Sequence, residues 1–91
     1  MKYTIRYTSD AKNDLRRLLK DEPLAYKKVL QLIAELYEHP TIGTGKPKML
    51  KGDLSGKWSR RITQKHRLVY EVIDNEVVVL VISAYGHYDD K

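Results

Sequence analysis

The chain has 91 residues, no cysteine and a formal net charge of +5, with 42% hydrophobic and 32% charged residues. That length supports one hydrophobic core with little to spare, so a single domain over residues 1–91 is expected. The lack of cysteine excludes disulfides, a thiolate metal site and a cysteine nucleophile. No apolar run approaches the roughly 20 residues of a membrane span, and residues 1–12 lack the apolar stretch of a signal peptide, so a cytoplasmic chain with no membrane contact is expected.

From Lys2 to Thr8 the residues alternate, Tyr3, Ile5 and Tyr7 pointing one way, which predicts a half-buried strand. Ser9 or Asp10 then offers an N-cap oxygen for a helix through about Lys20, with Ala11, Leu15, Leu18 and Leu19 as its apolar stripe. Pro23 suits the first turn of a second helix, because an N–H there has no intrahelical partner to lose. Ala25, Val29, Leu32, Ile33 and Leu36 repeat the spacing, and Pro40 stops the run. Two helices joined by about two residues predict an antiparallel helical hairpin. A Gly- and Pro-containing loop over 41–47 leads to a short strand near Met49–Lys51 and a turn at Asp53–Gly56. Extended segments follow over Lys57–Thr63 and His66–Ile73, and Asp74-Asn75 reads as a two-residue hairpin turn. The nearly continuous apolar run Glu76–Ala84 predicts a buried central strand. The order β-α-α-β-β-β makes an α+β fold, a helical hairpin packed on a mainly antiparallel sheet of four to five strands.

Charge is concentrated in one part of this chain. Between Lys46 and Tyr70 lie five lysines and three arginines against one aspartate, a local charge of +7. A cationic surface of that density attracts a polyanion, and nucleic acid is the commonest one in a cell. The alternative is a solvated basic face. A metal site is not expected, since no His-x-x-x-His pair occurs and acids near the basic stretch are few. No Gly-x-Ser-x-Gly supports a serine hydrolase, and GTGKP lacks the spacing of a phosphate-binding loop. His39, beside Pro40, reads as a residue favouring the end of the second helix. His66 reads equally as a turn residue or a substrate contact. His87 follows the most apolar strand and stands next to Tyr88. A basic surface holding histidine suits RNA cleavage, because the ribose 2′-OH is a nucleophile already beside the phosphorus. Arginine neutralises the phosphoryl oxygens, and histidine protonates the departing 5′-oxygen near neutral pH.

The string GKPKMLKGDLSGKWSRRITQKHRLVYEV, closing with the terminal GHY, closely resembles the YoeB-type toxins of the RelE superfamily. The resemblance covers nearly the whole chain and implies a microbial-ribonuclease-like, RelE-like α+β fold. It implies a ribosome-dependent messenger-RNA endonuclease of a bacterial type II toxin–antitoxin pair, working without cofactor by 2′-O transphosphorylation in the A site. By position, Arg67 matches the phosphate-stabilising arginine, His87 the general acid and Tyr88 the terminal tyrosine that helps place substrate. Lys51 and Arg61 match basic site residues, and Lys46, Arg60 and His66 join them as candidate substrate contacts. One position departs from the pattern: Lys48, in KPKML, stands where such toxins usually place a glutamate general base, in KPEPL. Lys48 is therefore either a neutral base or a charge stabiliser. Otherwise the base is another group such as His66, or the chain is catalytically weakened. The implied partners are messenger RNA on the ribosome and an acidic, YefM-like antitoxin, with a homodimer left open. A ParE-like binder of DNA gyrase and a plain RNA-binding module are the competing readings.

Overall fold

The computed structural model describes residues 2–52, 56–73, 76 and 78–85. In chain order it runs β1 (Thr4–Tyr7), α1 (Ser9–Asp21), α2 (Pro23–Leu36), β2 (Lys48–Met49), β3 (Lys57–Arg61), β4 (Arg67–Ile73) and β5 (Val78–Ser83). The strands form one sheet in the order β1-β5-β4-β3-β2. Three neighbouring pairs are antiparallel, and β1 lies parallel to β5 with Thr4 opposite Val78. This is the expected α+β arrangement, with five strands. The turn at Asp74-Asn75 and residues Asp53–Ser55 of the preceding turn lie outside the described residues.

The helices form where their caps allow. Thr8, one residue before the expected position, is the N-cap of α1, and its hydroxyl accepts from the Ala11 amide at 3.0 Å. Pro23 opens α2, and Glu22 alone joins the two helices. Ala25, Val29, Leu32, Ile33 and Leu36 are all buried, as their spacing requires, and pack with Ala11 and Leu18 of α1. Leu19 does not belong to this stripe: it is exposed. Helix α2 ends at Leu36, and the His39 amide donates to the Glu35 carbonyl while the His39 side chain is exposed. No described helix is long and apolar enough to cross a membrane.

The helix-side core is completed by Ile62, Leu68, Tyr70, Val81 and Ala84 from the sheet. Burying each large aliphatic side chain contributes roughly 1.5–3 kcal/mol, so Leu32 and Leu36 between helix and sheet are major anchors. The alternation along β3 and β4 then assigns the other face. Trp58, Arg60, Leu68 and Tyr70 turn inward, whereas Lys57, Ser59, Arg61, Arg67, Val69 and Glu71 turn to the face without helices.

Candidate functional site

The helix-free face is organised by strand register. Arg61 at the end of β3 stands directly opposite Arg67 at the start of β4. One step along the strands comes a row of Lys48, Ser59, Val69 and Ser83, one residue from each of β2 to β5. The next row pairs Lys57 with Glu71, whose charged atoms are 4.0 Å apart. Ser59 and Val69 are buried and form a floor, flanked in the register by Lys48, Arg61 and Arg67. Directly opposed like charges on neighbouring strands destabilise a sheet by some tenths of a kcal/mol. Among the described residues neither Arg61 nor Arg67 has an acidic partner. A merely solvated face would alternate its charges, as Lys57 and Glu71 do; the arginine pair fits a surface that receives an anion.

Around this pair the loop from α2 to β2 brings further lysines. The Arg61 amide donates to the Gly45 carbonyl at 2.7 Å, which docks the loop on the end of β3. Gly45 has φ +84°, and a Cβ there would lie 2.9 Å from the Arg61 carbonyl oxygen, so only glycine permits the approach. Lys46 follows with φ 52°, an uncommon conformation for a side-chain-bearing residue and more so before proline. Lys46, Lys48 and Lys51 are all exposed.

Two expected substrate contacts turn out to be structural. Arg60 is fully buried on the helix side, and all its N–H groups find acceptors inside the protein. Nε donates to the Tyr70 hydroxyl at 3.1 Å, and Nη1 to Glu35 Oε1 at 2.8 Å and the Thr44 carbonyl at 3.2 Å. Nη2 donates to the carbonyls of His39 and, at 2.8 Å, Ile42. The Tyr70 hydroxyl in turn donates to the Pro40 carbonyl at 2.6 Å. Burial pushes the Tyr70 phenol up, with the Arg60 guanidinium opposing. Burial also raises the Glu35 carboxyl, but hydrogen bonds from Thr44 and Arg60 outweigh it and hold the group below its ordinary value. This knot ties α2, the 39–44 loop and the sheet together. Arg60 is therefore a buried structural cation and offers no charge to the surface.

His66 is likewise buried, 1% exposed, with Nε2 2.6 Å from Glu22 Oε2. The bond from His66 holds the Glu22 carboxyl below its ordinary value, with Lys65 adding to the effect at 3.8 Å. The ring packs on Tyr85, with centroids 4.3 Å apart. Neither a substrate contact nor an accessible base fits that setting. Glu22, Glu35 and Tyr85, which hold these histidine and arginine networks, carried no motif that marked them. His87 and Tyr88 lie outside the described residues.

A family model for the YoeB-like toxin of bacterial type II toxin–antitoxin systems matches residues 7–88. The chain belongs to that family. The Toxin YoeB of Streptomyces coelicolor is 42% identical over 84 residues, spanning 92% of this chain and 98% of the relative. The YoeB/ParE toxin from Agrobacterium tumefaciens superposes with a TM-score of 0.87 at 35% identity, covering 93% of this chain and 99% of that one. A Staphylococcus aureus chain from a YoeB–YefM complex superposes with a TM-score of 0.81 at 31% identity, covering 97% and 100%. The fold is thus that of YoeB- and RelE-type toxins, and the opposed arginines lie on the helix-free face of its sheet.

Proposed function

We propose that this YoeB-like chain is a ribosome-dependent endoribonuclease that cleaves messenger RNA in the A site by 2′-O transphosphorylation. The opposed pair of Arg61 and Arg67 carries the reading, because it collects positive charge where a scissile phosphate gains negative charge. In the step, the 2′-oxygen forms a bond to phosphorus as its proton passes to solvent water, and the bond from phosphorus to the 5′-oxygen breaks. Arg67 holds the phosphoryl oxygens, and His87 donates the proton that the 5′-oxygen needs. Tyr88 and Lys51 place the RNA. The products are a 2′,3′-cyclic phosphate and a 5′-hydroxyl. Lys48 stands on the same face as Arg61, beside Ser59, and acts as a further positive charge on the phosphate. The same cationic face suits an acidic, YefM-like antitoxin, which would mask the RNA site.

Arg67→Ala tests the assignment on ribosomes programmed with a defined messenger. Donors to a developing oxyanion are worth about 2.7–4 kcal/mol, so the rate should fall about 10²–10³-fold while the thermal midpoint holds. A loss of less than about tenfold would contradict the role of Arg67. A chain that binds but yields no 2′,3′-cyclic ends would favour the ParE-like or plain binding readings.

A further inference from the structure

Arg61 and Arg67 repel each other at the end of a strand pair, and no backbone bond joins the two residues. The Arg61 amide points away from β4, to the Gly45 carbonyl, so the arginines form a non-hydrogen-bonded pair. In such pairs the Cα atoms approach to about 4.5 Å and the side chains come closest, which makes like charges least welcome there. The bonds that close this strand end lie one step beyond, and three of them meet at His66. Its carbonyl accepts from the Ile62 amide at 3.0 Å and the Thr63 amide at 3.2 Å. Its own amide donates to the Thr63 hydroxyl at 3.1 Å.

His66 is in turn anchored outside the sheet. Nε2 lies 2.6 Å from Glu22 Oε2, and the ring packs on Tyr85 with centroids 4.3 Å apart. Glu22 is the single residue between α1 and α2. Its amide donates to the Leu18 carbonyl at 2.7 Å, and its carbonyl accepts from the Tyr26 amide at 3.0 Å. The carboxylate therefore extends from a backbone that both helices fix. We propose that Glu22 and His66 are a positioning pair that keeps Arg61 and Arg67 opposed, so that two guanidinium groups meet one phosphate. It rests on the reading above, in which this arginine pair receives the phosphate. The imidazole is 1% exposed, so water screens its bond to Glu22 little. The arginines stand on the helix-free face, where solvent and salt screen their repulsion, so the anchor prevails. Glu22 and His66 act through Arg67, which directly follows His66 in the chain.

The experiment titrates a short single-stranded RNA with the parent, Glu22→Ala, Glu22→Gln, Arg67→Ala and the Glu22→Ala, Arg67→Ala double variant. Fluorescence anisotropy is read well below the thermal midpoint of each chain. Glu22→Ala removes an acid, so electrostatics alone would tighten RNA binding. Loss of positioning instead weakens it, by about threefold or more, within the range of coupling in one hydrogen-bonded network. Glu22→Gln loses the same charge but keeps an acceptor oxygen for His66, and should bind at least as well as the parent. With Arg67 already replaced, Glu22→Ala should weaken binding no further. A Glu22→Ala chain that binds as well as the parent or better, or that loses equally with and without Arg67, would overturn the proposal. Should Glu22→Ala not fold, Glu22→Asp, one methylene shorter, takes its place and should weaken binding with no change of charge. Should the parent not bind RNA, or Arg67→Ala bind as tightly, the phosphate reading falls and the strand register decides the pair alone. The Hα–Hα Overhauser effect between Arg61 and Arg67, expected of a non-hydrogen-bonded pair, should fade in Glu22→Ala and persist in Glu22→Gln. An effect unchanged in Glu22→Ala overturns the positioning role.

Discussion

At the scale of single residues, Lys48 distinguishes this chain from the pattern with a glutamate in KPEPL. Lys48 shares the helix-free face with Arg61 and Arg67, being opposite Ser59 and one register step from the arginine pair. Three cations around one phosphate stabilise accumulating charge, and a carboxylate introduced there opposes it. Lys48→Glu should therefore slow single-turnover cleavage by about tenfold or more, although it restores the usual family residue. Acceleration would identify Lys48 as a neutral base instead. The role of Arg60 was partly legible in the sequence, since strand alternation groups it with Trp58 and Ile62 on the apolar side. What concealed it was the distance along the chain to its acid: Glu35 lies 25 residues earlier and carries no motif. His66 is the same case, in phase with Leu68 and Tyr70 and paired with Glu22 across 44 residues.

At the scale of elements, the Arg60 knot joins three parts that local propensity cannot hold together: the end of α2, the 39–44 loop and β3. Removing one partner of a buried, hydrogen-bonded charge pair leaves the other groups unsatisfied and typically costs about 3–5 kcal/mol. Arg60→Met should lose stability of that order in chemical denaturation, and should also loosen the loop that carries Lys46 towards the site. Its partner adds a pH dependence. The Glu35 carboxyl is held below its ordinary value of 4.5, so the folded state binds this proton less readily than the unfolded chain. Its stabilisation is complete above that ordinary value and is lost as pH falls through the lower folded-state value. Denaturation midpoints followed from about pH 6 to about pH 3 should decline, and Glu35→Gln should flatten part of that decline. Helices α1 and α2 were legible because their apolar periodicity decides them. The cap of α1 fell one residue early, at Thr8, because the last residue of the strand connection supplies the hydroxyl.

At the scale of the whole molecule, Lys48, Lys57, Arg61 and Arg67 of the 46–70 stretch share one face of the sheet while the helices cover the other. Binding to an isolated single-stranded RNA should then weaken with salt. Four contacts from Lys48, Lys51, Arg61 and Arg67 predict a log–log slope of about −3, at about −0.7 per phosphate. Arg61→Ala should reduce its magnitude by about one contact, as measured by fluorescence anisotropy across a salt series. Strand membership and this two-sidedness followed from alternation in the sequence, but the sheet order did not. Nothing local records that β1 lies beside β5, because that pairing joins residues 74 positions apart, Thr4 with Val78. The pairing also sets an order of events in time. Among the described residues strand β1 has no other neighbour in the sheet, so the first strand made must wait for the last. Closing so long a loop is slow compared with forming the helical hairpin, which needs only neighbours in the chain. During synthesis the hairpin is complete while β4, β5 and the ends that carry Arg67 and Tyr85 are still to come. A nascent copy of this YoeB-like chain therefore carries no assembled arginine face, and the cell meets the finished surface only once the entire sheet has emerged.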